Sequence, residues 1–118
     1  MKILFLDDNP QRHHKFKKAT VGLDVTYAWT SDEAIKFLGE TVFDQVSLDH
    51  DLEEKLNMEL PGQGKGSGYD VAMFIASLPK ERQPKLAVVH SFNPEGARRM
   101  CVVLNKAGIH ALRIPFEY

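Results

Sequence analysis

The sequence has a single cysteine, Cys101, among its 118 residues. One thiol excludes an internal disulfide and any zinc cage built from cysteines, and it fits a reducing compartment. Long apolar runs are missing as well: none approaches the roughly 20 residues that cross a bilayer. The N-terminal run Ile3-Leu4-Phe5-Leu6 stops at Asp7-Asp8, too short and too acidic at its end for a secretory signal. Nor does one sign of charge dominate. Lys and Arg number 15, Asp and Glu 16, and the net charge is −1, so no overall field draws the chain to nucleic acid or to a membrane surface. These absences lead us to expect a cytoplasmic protein with no membrane partner. The length suits one domain over residues 1–118, large enough to bury about two-thirds of its unfolded surface.

What is present is an alternation of two patterns. Ile3-Leu4-Phe5-Leu6 is a short continuous apolar run, which suits a strand buried on both faces. Asn9-Pro10 joins a good N-cap to the residue favoured at the first helical position, and predicts a helix over about residues 10–20 with Phe16 and Ala19 as its apolar contacts. Val25, Tyr27 and Trp29 alternate as a second strand. Thr30-x-x-Glu33 is a capping box that opens a helix carrying Ala34, Ile35, Phe37 and Leu38. Residues 43–48 read as a third strand, closed by Asp49-His50-Asp51. From about residue 53 to 67 the chain is charged and then rich in glycine, and a loop this long in a small domain is usually functional or mobile.

Ser67 then caps a third helix, with Val71, Phe74, Ile75 and Leu78 on one face. Residues 86–89 form a fourth strand, closed by His90-Ser91. Asn93-Pro94 repeats the first helix's start signal, and Gly108 ends that helix, whose face is Ala97, Met100, Cys101 and Leu104. Residues 111–114 supply a fifth strand, with no helix after it. Strands and helices that alternate in this way give an α/β fold: a doubly wound, parallel, five-stranded sheet lacking a fifth helix. In such sheets the site lies beyond the carboxyl ends of the strands. Asp7-Asp8, Asp49-His50-Asp51 and His90-Ser91 stand there together.

These residues resemble the receiver domain of response regulators. The double acid Asp7-Asp8, the run 43–49 ending in Asp49, Gly68-Tyr69-Asp70-Val71, Ser91 near the small hydroxyl position, and Ile114-Pro115-Phe116 each match a receiver motif. The resemblance implies strand order 2-1-3-4-5 and makes Asp49 the phospho-acceptor. The departures are equally plain: Ile114 stands where receivers carry a lysine, and His50 and His90 flank the acids. An acidic end to the first strand, Asp-His-Asp after the third and His after the fourth are similar to a receiver-derived group named for processing cyclic phosphates. That group implies metal-dependent handling of cyclic phosphates, in phage or in RNA repair.

Asp7, Asp8 and Asp49 are the expected metal ligands, because clustered carboxylates repel and a divalent cation relieves the repulsion. Oxygen donors suit Mg²⁺ or Mn²⁺, and a histidine among them shifts preference towards Mn²⁺, Fe or Zn²⁺. His50 and His90 are the expected acid and base, with Asp51 orienting an imidazole. Arg12, reaching over Asp8, together with Ser91 and Lys65 in the glycine-rich loop, would hold phosphate. Each residue also has a plainer reading, as a cap, a solvated charge or a hydrogen-bonded structural histidine. His13, His14 and His110 read as surface residues.

The leading function is therefore a divalent-metal-dependent phosphoesterase acting on a cyclic nucleotide or an RNA-end cyclic phosphate. Two rivals stand beside it: a signalling receiver phosphorylated on Asp49, and a pseudo-receiver that binds a nucleotide or a protein without catalysis. A homodimer is expected through the sheet face that a fifth helix would otherwise cover.

Overall fold

The computed structural model describes residues 1–52 and 67–115. Its strands are β1 (Lys2–Leu6), β2 (Asp24–Ala28), β3 (Gln45–Leu48), β4 (Leu86–Val89) and β5 (His110–Arg113). Between them run the helices α1 (Pro10–Ala19), α2 (Ser31–Glu40), α3 (Gly68–Ser77) and α4 (Pro94–Lys106). All strand pairs are parallel, as the alternation indicated, and the sheet order is 2-1-3-4-5, the order the receiver resemblance implied.

The helices start where the capping residues dictate. Asn9 Oδ1 accepts from the backbone N–H of Gln11 and Arg12, and Asn93 Oδ1 accepts from Gly96 N at 2.9 Å. Ser67 and Asp70 close a full capping box at α3. At α2 the box is offset: Thr30 accepts from Glu33 N, but the Glu33 carboxylate reaches Trp29 N rather than Thr30 N. Gly108, at φ +89°, turns the chain out of α4.

Alternation along the strands divides the interior. Leu4, Leu6, Val46, Leu48, Ala87 and Val89 pack with Leu38, Val71, Ile75, Met100 and Leu104 into the main core, on the side of α2, α3 and α4. On the opposite face Phe5 stacks on Phe16 of α1 at 4.2 Å between ring centroids. Phe16 makes the contact expected of it, and Ala19 does not. Ala19 is exposed, and the buried residue of α1 is His13. The third strand begins at Gln45 rather than at 43. Phe43 is buried in the core, but Asp44 turns to exchange bonds with Lys2, its N–H donating to Lys2 O and its carboxylate accepting from Lys2 N.

The glycine-rich stretch before Ser67, Lys65 included, lies outside the described residues. Gly68 is described, and its role is packing. A Cβ at this position would lie 1.8 Å from the Asp49 carbonyl oxygen, while Gly68 N donates to His50 O at 2.9 Å. The start of α3 thus rests directly on the backbone that carries the site. Gly68→Ala is expected to cost about 2 kcal/mol or more, as overpacking against unyielding backbone does. Denaturant unfolding checks this, and a midpoint equal to wild type would contradict it.

Candidate functional site

Register brings the site together. Leu6 pairs with Leu48, and Leu48 with Val89, so β1, β3 and β4 end level and about 5 Å apart. The ladder runs one residue further: Asp49 N donates to Leu6 O, and His90 N donates to Leu48 O. Asp7, Asp49 and His90 therefore leave the sheet side by side. All three are buried, and one ligand atom from each lies within 4.8 Å of the others.

Asp7 is fully buried. Its Oδ2 accepts from Arg12 Nε at 2.6 Å and His90 Nε2 at 2.8 Å. Its Oδ1 accepts from Arg12 Nη2 at 3.0 Å and Asn9 N at 2.9 Å. Burial alone would raise its pKa, but the bonds from His90 and Arg12 prevail and hold it at about 2. A carboxylate can only accept, so His90 Nε2 carries the hydrogen of the bond they share. The other ring nitrogen, Nδ1, lies 2.9 Å from Ser47 Oγ, and the imidazole stacks on Phe5 at 5.1 Å.

Asp49 is placed oppositely. Burial and the neighbouring Asp7 charge push its pKa up to about 6, against the pull of His90 and Arg12. Its Oδ2 is buried without a hydrogen bond, although Arg12 Nη2 stands 3.5 Å away. A buried carboxylate oxygen left in this state is the feature a metal ion satisfies. Two carboxylates and one imidazole form a donor set that suits Mn²⁺ or Mg²⁺ and admits Zn²⁺ or Fe.

The other expected site residues divide. Asp8 stands half-buried at the rim, with Oδ1 4.0 Å from Arg12 Nη2, and the close group holds His90 in its place. Arg12 lies on Asp7, with Nε 2.6 Å from Asp7 Oδ2. His50 and Asp51 form a second polar group, with His50 Nδ1 2.8 Å from Asp51 Oδ1. The Asn93 side-chain amide donates to both Asp51 oxygens at 3.3 and 3.4 Å. The His50 ring lies against Gly96, where a Cβ would come within 2.6 Å of it. Ser91 is buried, and its Oγ accepts from Asn93 N at 3.0 Å. Lys65 is not among the described residues.

Two participants were not read from the sequence as site residues. Ser47 is the buried partner of His90. His13, expected at the surface, is buried; its Nε2 lies 2.8 Å from Asp7 O, and its ring stacks on Trp29 at 3.5 Å. Burial lowers its pKa. The available signal was spacing: His13 precedes Phe16 by three residues and so shares its helix face.

The two acids contribute to stability with opposite signs. Asp7, lowered from 3.8 to about 2, adds stability above pH 3.8 that is lost as pH falls through 2. Asp49, raised from 3.8 to about 6, adds stability below pH 3.8 that is lost as pH rises through 6. Asp49→Asn should therefore stabilise the metal-free protein at pH 7.5 by roughly 1–3 kcal/mol, with little effect near pH 4. Urea unfolding at the two pH values measures this, and an unchanged midpoint at pH 7.5 would count against the buried charge.

Comparison with known proteins agrees with this geometry. No curated protein matches the chain. Among solved structures it is similar to a CheY-like response regulator receiver domain from Methylobacillus flagellatus, at 19% identity and TM-score 0.66, covering 99% of this chain and 88% of that one. It is also similar to the receiver domain of a sensor histidine kinase from Pseudomonas aeruginosa PAO1, which holds a magnesium ion in its active-site cleft. That match has 22% identity and TM-score 0.65, and covers 98% of this chain and 86% of that one. These likenesses establish the receiver fold. The family model described as "Cyclic-phosphate processing Receiver domain" matches residues 2–106, from the first residue of β1 to the last of α4, and the chain belongs to that family.

Proposed function

We propose that this chain opens cyclic phosphodiesters by divalent-metal-dependent hydrolysis, acting on cyclic nucleotides or on RNA ends that carry a cyclic phosphate. The observation that carries the reading is the buried group of Asp7, Asp49 and His90, in which an Asp49 oxygen accepts no hydrogen bond and has only the Arg12 charge 3.5 Å away. Beside it stands a partly exposed histidine, His50, already held by a carboxylate.

Asp7, Asp49 and His90 would hold the ion, with Asp8 at the rim, and when bound it supplies positive charge to the phosphorus oxygens and to the water that attacks. His50 does the proton work. Asp51 fixes its tautomer by taking the Nδ1 hydrogen, which leaves Nε2 as a base. Nε2 takes a proton from water as the water oxygen bonds to phosphorus. The ring P–O bond then breaks, and the imidazolium returns its proton to the departing oxygen. His90 is assigned a different part from the acid–base one first expected: both of its nitrogens are engaged by Ser47 and Asp7, so it positions Asp7, and its Nε2 would join the ion only by giving up the hydrogen it donates to Asp7. Phosphorylation of Asp49 is the weaker reading, since Ile114 brings no charge to the lysine position.

The test is a panel of cyclic mononucleotides, cyclic dinucleotides and RNA with 2′,3′-cyclic phosphate ends, assayed with Mg²⁺ and with Mn²⁺. His50→Ala should lower kcat by about 10²–10⁴ with folding intact. Gly96→Ala, which removes no polar group but pushes the His50 ring aside, should lower it as well. Wild-type protein that turns over no member of the panel would contradict the reading in favour of a binding module. Efficient labelling of Asp49 by acetyl phosphate would favour the signalling receiver.

A further inference from the structure

Resting on the metal reading above, we propose that Arg12 is the resident cation of the site: its guanidinium holds the place of the divalent ion, and metal binds by exchange with it. The exchange turns Arg12 from a counter-ion of the acids into a ligand for substrate phosphate.

The distances describe one cation shared among carboxylates. Arg12 Nη2 lies 3.0 Å from Asp7 Oδ1, 3.5 Å from Asp49 Oδ2 and 4.0 Å from Asp8 Oδ1. Arg12 Nε lies 2.6 Å from Asp7 Oδ2. These are the three acids expected to bind metal, and Asp7 Oδ2 already accepts from His90 as well. A divalent ion would bond the same oxygens at about 2.0–2.2 Å. A guanidinium left in place would then sit a few ångströms from a doubly charged ion, where like charges repel strongly. Arg12 and the metal therefore exclude each other.

The helix permits the exchange. Arg12 is the third residue of α1, and its backbone N–H is held by Asn9 Oδ1, so the side chain can swing while the helix stays fixed. An aromatic ring already borders the guanidinium. The Phe92 ring centroid lies 6.0 Å from Arg12 Cζ, and Phe92 is 51% exposed. A guanidinium turned against that ring keeps a cation–π contact and presents its planar fork to solvent, the geometry that grips a phosphate through two hydrogen bonds. One rotation frees the acids and prepares the phosphate site.

The experiment measures Mn²⁺ binding by electron paramagnetic resonance in wild type, Arg12→Ala, Arg12→Gln and Arg12→Lys. It also follows the Arg12 Nε–H resonance by NMR while Mg²⁺ is added to wild type. Both neutral variants should bind Mn²⁺ at least about 10-fold more tightly, which corresponds to about 1.4 kcal/mol. Arg12→Lys should stay nearer to wild type. The Nε–H resonance should move from a hydrogen-bonded to a solvent-exposed position as Mg²⁺ saturates. Neutral variants that bind Mn²⁺ as weakly as wild type or more weakly, or a resonance that does not move, would overturn the exchange alone. Failure of every form to bind Mn²⁺ would overturn it together with the metal reading. Exchange without turnover of any cyclic phosphate supports the inference and removes only hydrolysis.

Discussion

A carboxylate with no solvent around it organises one end of this molecule. Asp7 is fully buried, and a desolvated charge costs several kcal/mol unless donors surround it. The donors come from separate elements. Asn9 and Arg12 tie α1 to the end of β1. His90 ties in β4 and, through Ser47, β3. His13 meets the carbonyl of the same residue, and with it come the rings of Phe5, Tyr27 and Trp29. Asp7 is thus the common acceptor that holds helix and strands in one arrangement. It also bears on its neighbour: burial, together with the Asp7 charge beside it, pushes the Asp49 carboxylate up to about 6.

The counter-charge at these acids also departs from the one the receiver resemblance implies. Asp49 makes an ion pair with Arg12, a cation delivered by α1. At the position where the resemblance implies a lysine stands Ile114, half-exposed, its N–H bonded to Val89 O. Positive charge therefore approaches the acids from the β1 side of the sheet rather than from β5. His50 and Asp51 project on the α4 side, beside Asn93 and Gly96. Asp49 and His50 are successive residues at the end of β3, yet one lies with the buried acids and the other with Asp51 and Asn93, a division that the proposed hydrolysis would use to hold an ion in one place and move a proton in another.

Much of this was legible in the sequence, and what was not has physical reasons. Apolar runs closed by acids located β1 and β3. The Leu86–Val89 strand and the Asn9-Pro10, Ser67 and Asn93-Pro94 helix starts stand where their residues indicated, because buried strands and caps are decided within a few residues of chain. Phe43 misled the start of β3, since burial without ladder pairing looks the same in a pattern of apolar residues. His13 and Ala19 exchanged roles on α1 because the helix packs an aromatic face against Phe5, and polarity scales place histidine outside. The inward turn of Arg12 and the pairing of His90 with Ser47 depend on side chains that only the closed sheet brings together.

The most direct measurement is anomalous diffraction from crystals of the wild-type protein soaked with Mn²⁺. The account expects one strong peak bonded to Asp7, Asp49 and His90, with the Arg12 side chain withdrawn from the acids. A saturating soak that leaves this position without a peak, or that places the ion elsewhere while Arg12 remains on Asp7, would contradict it.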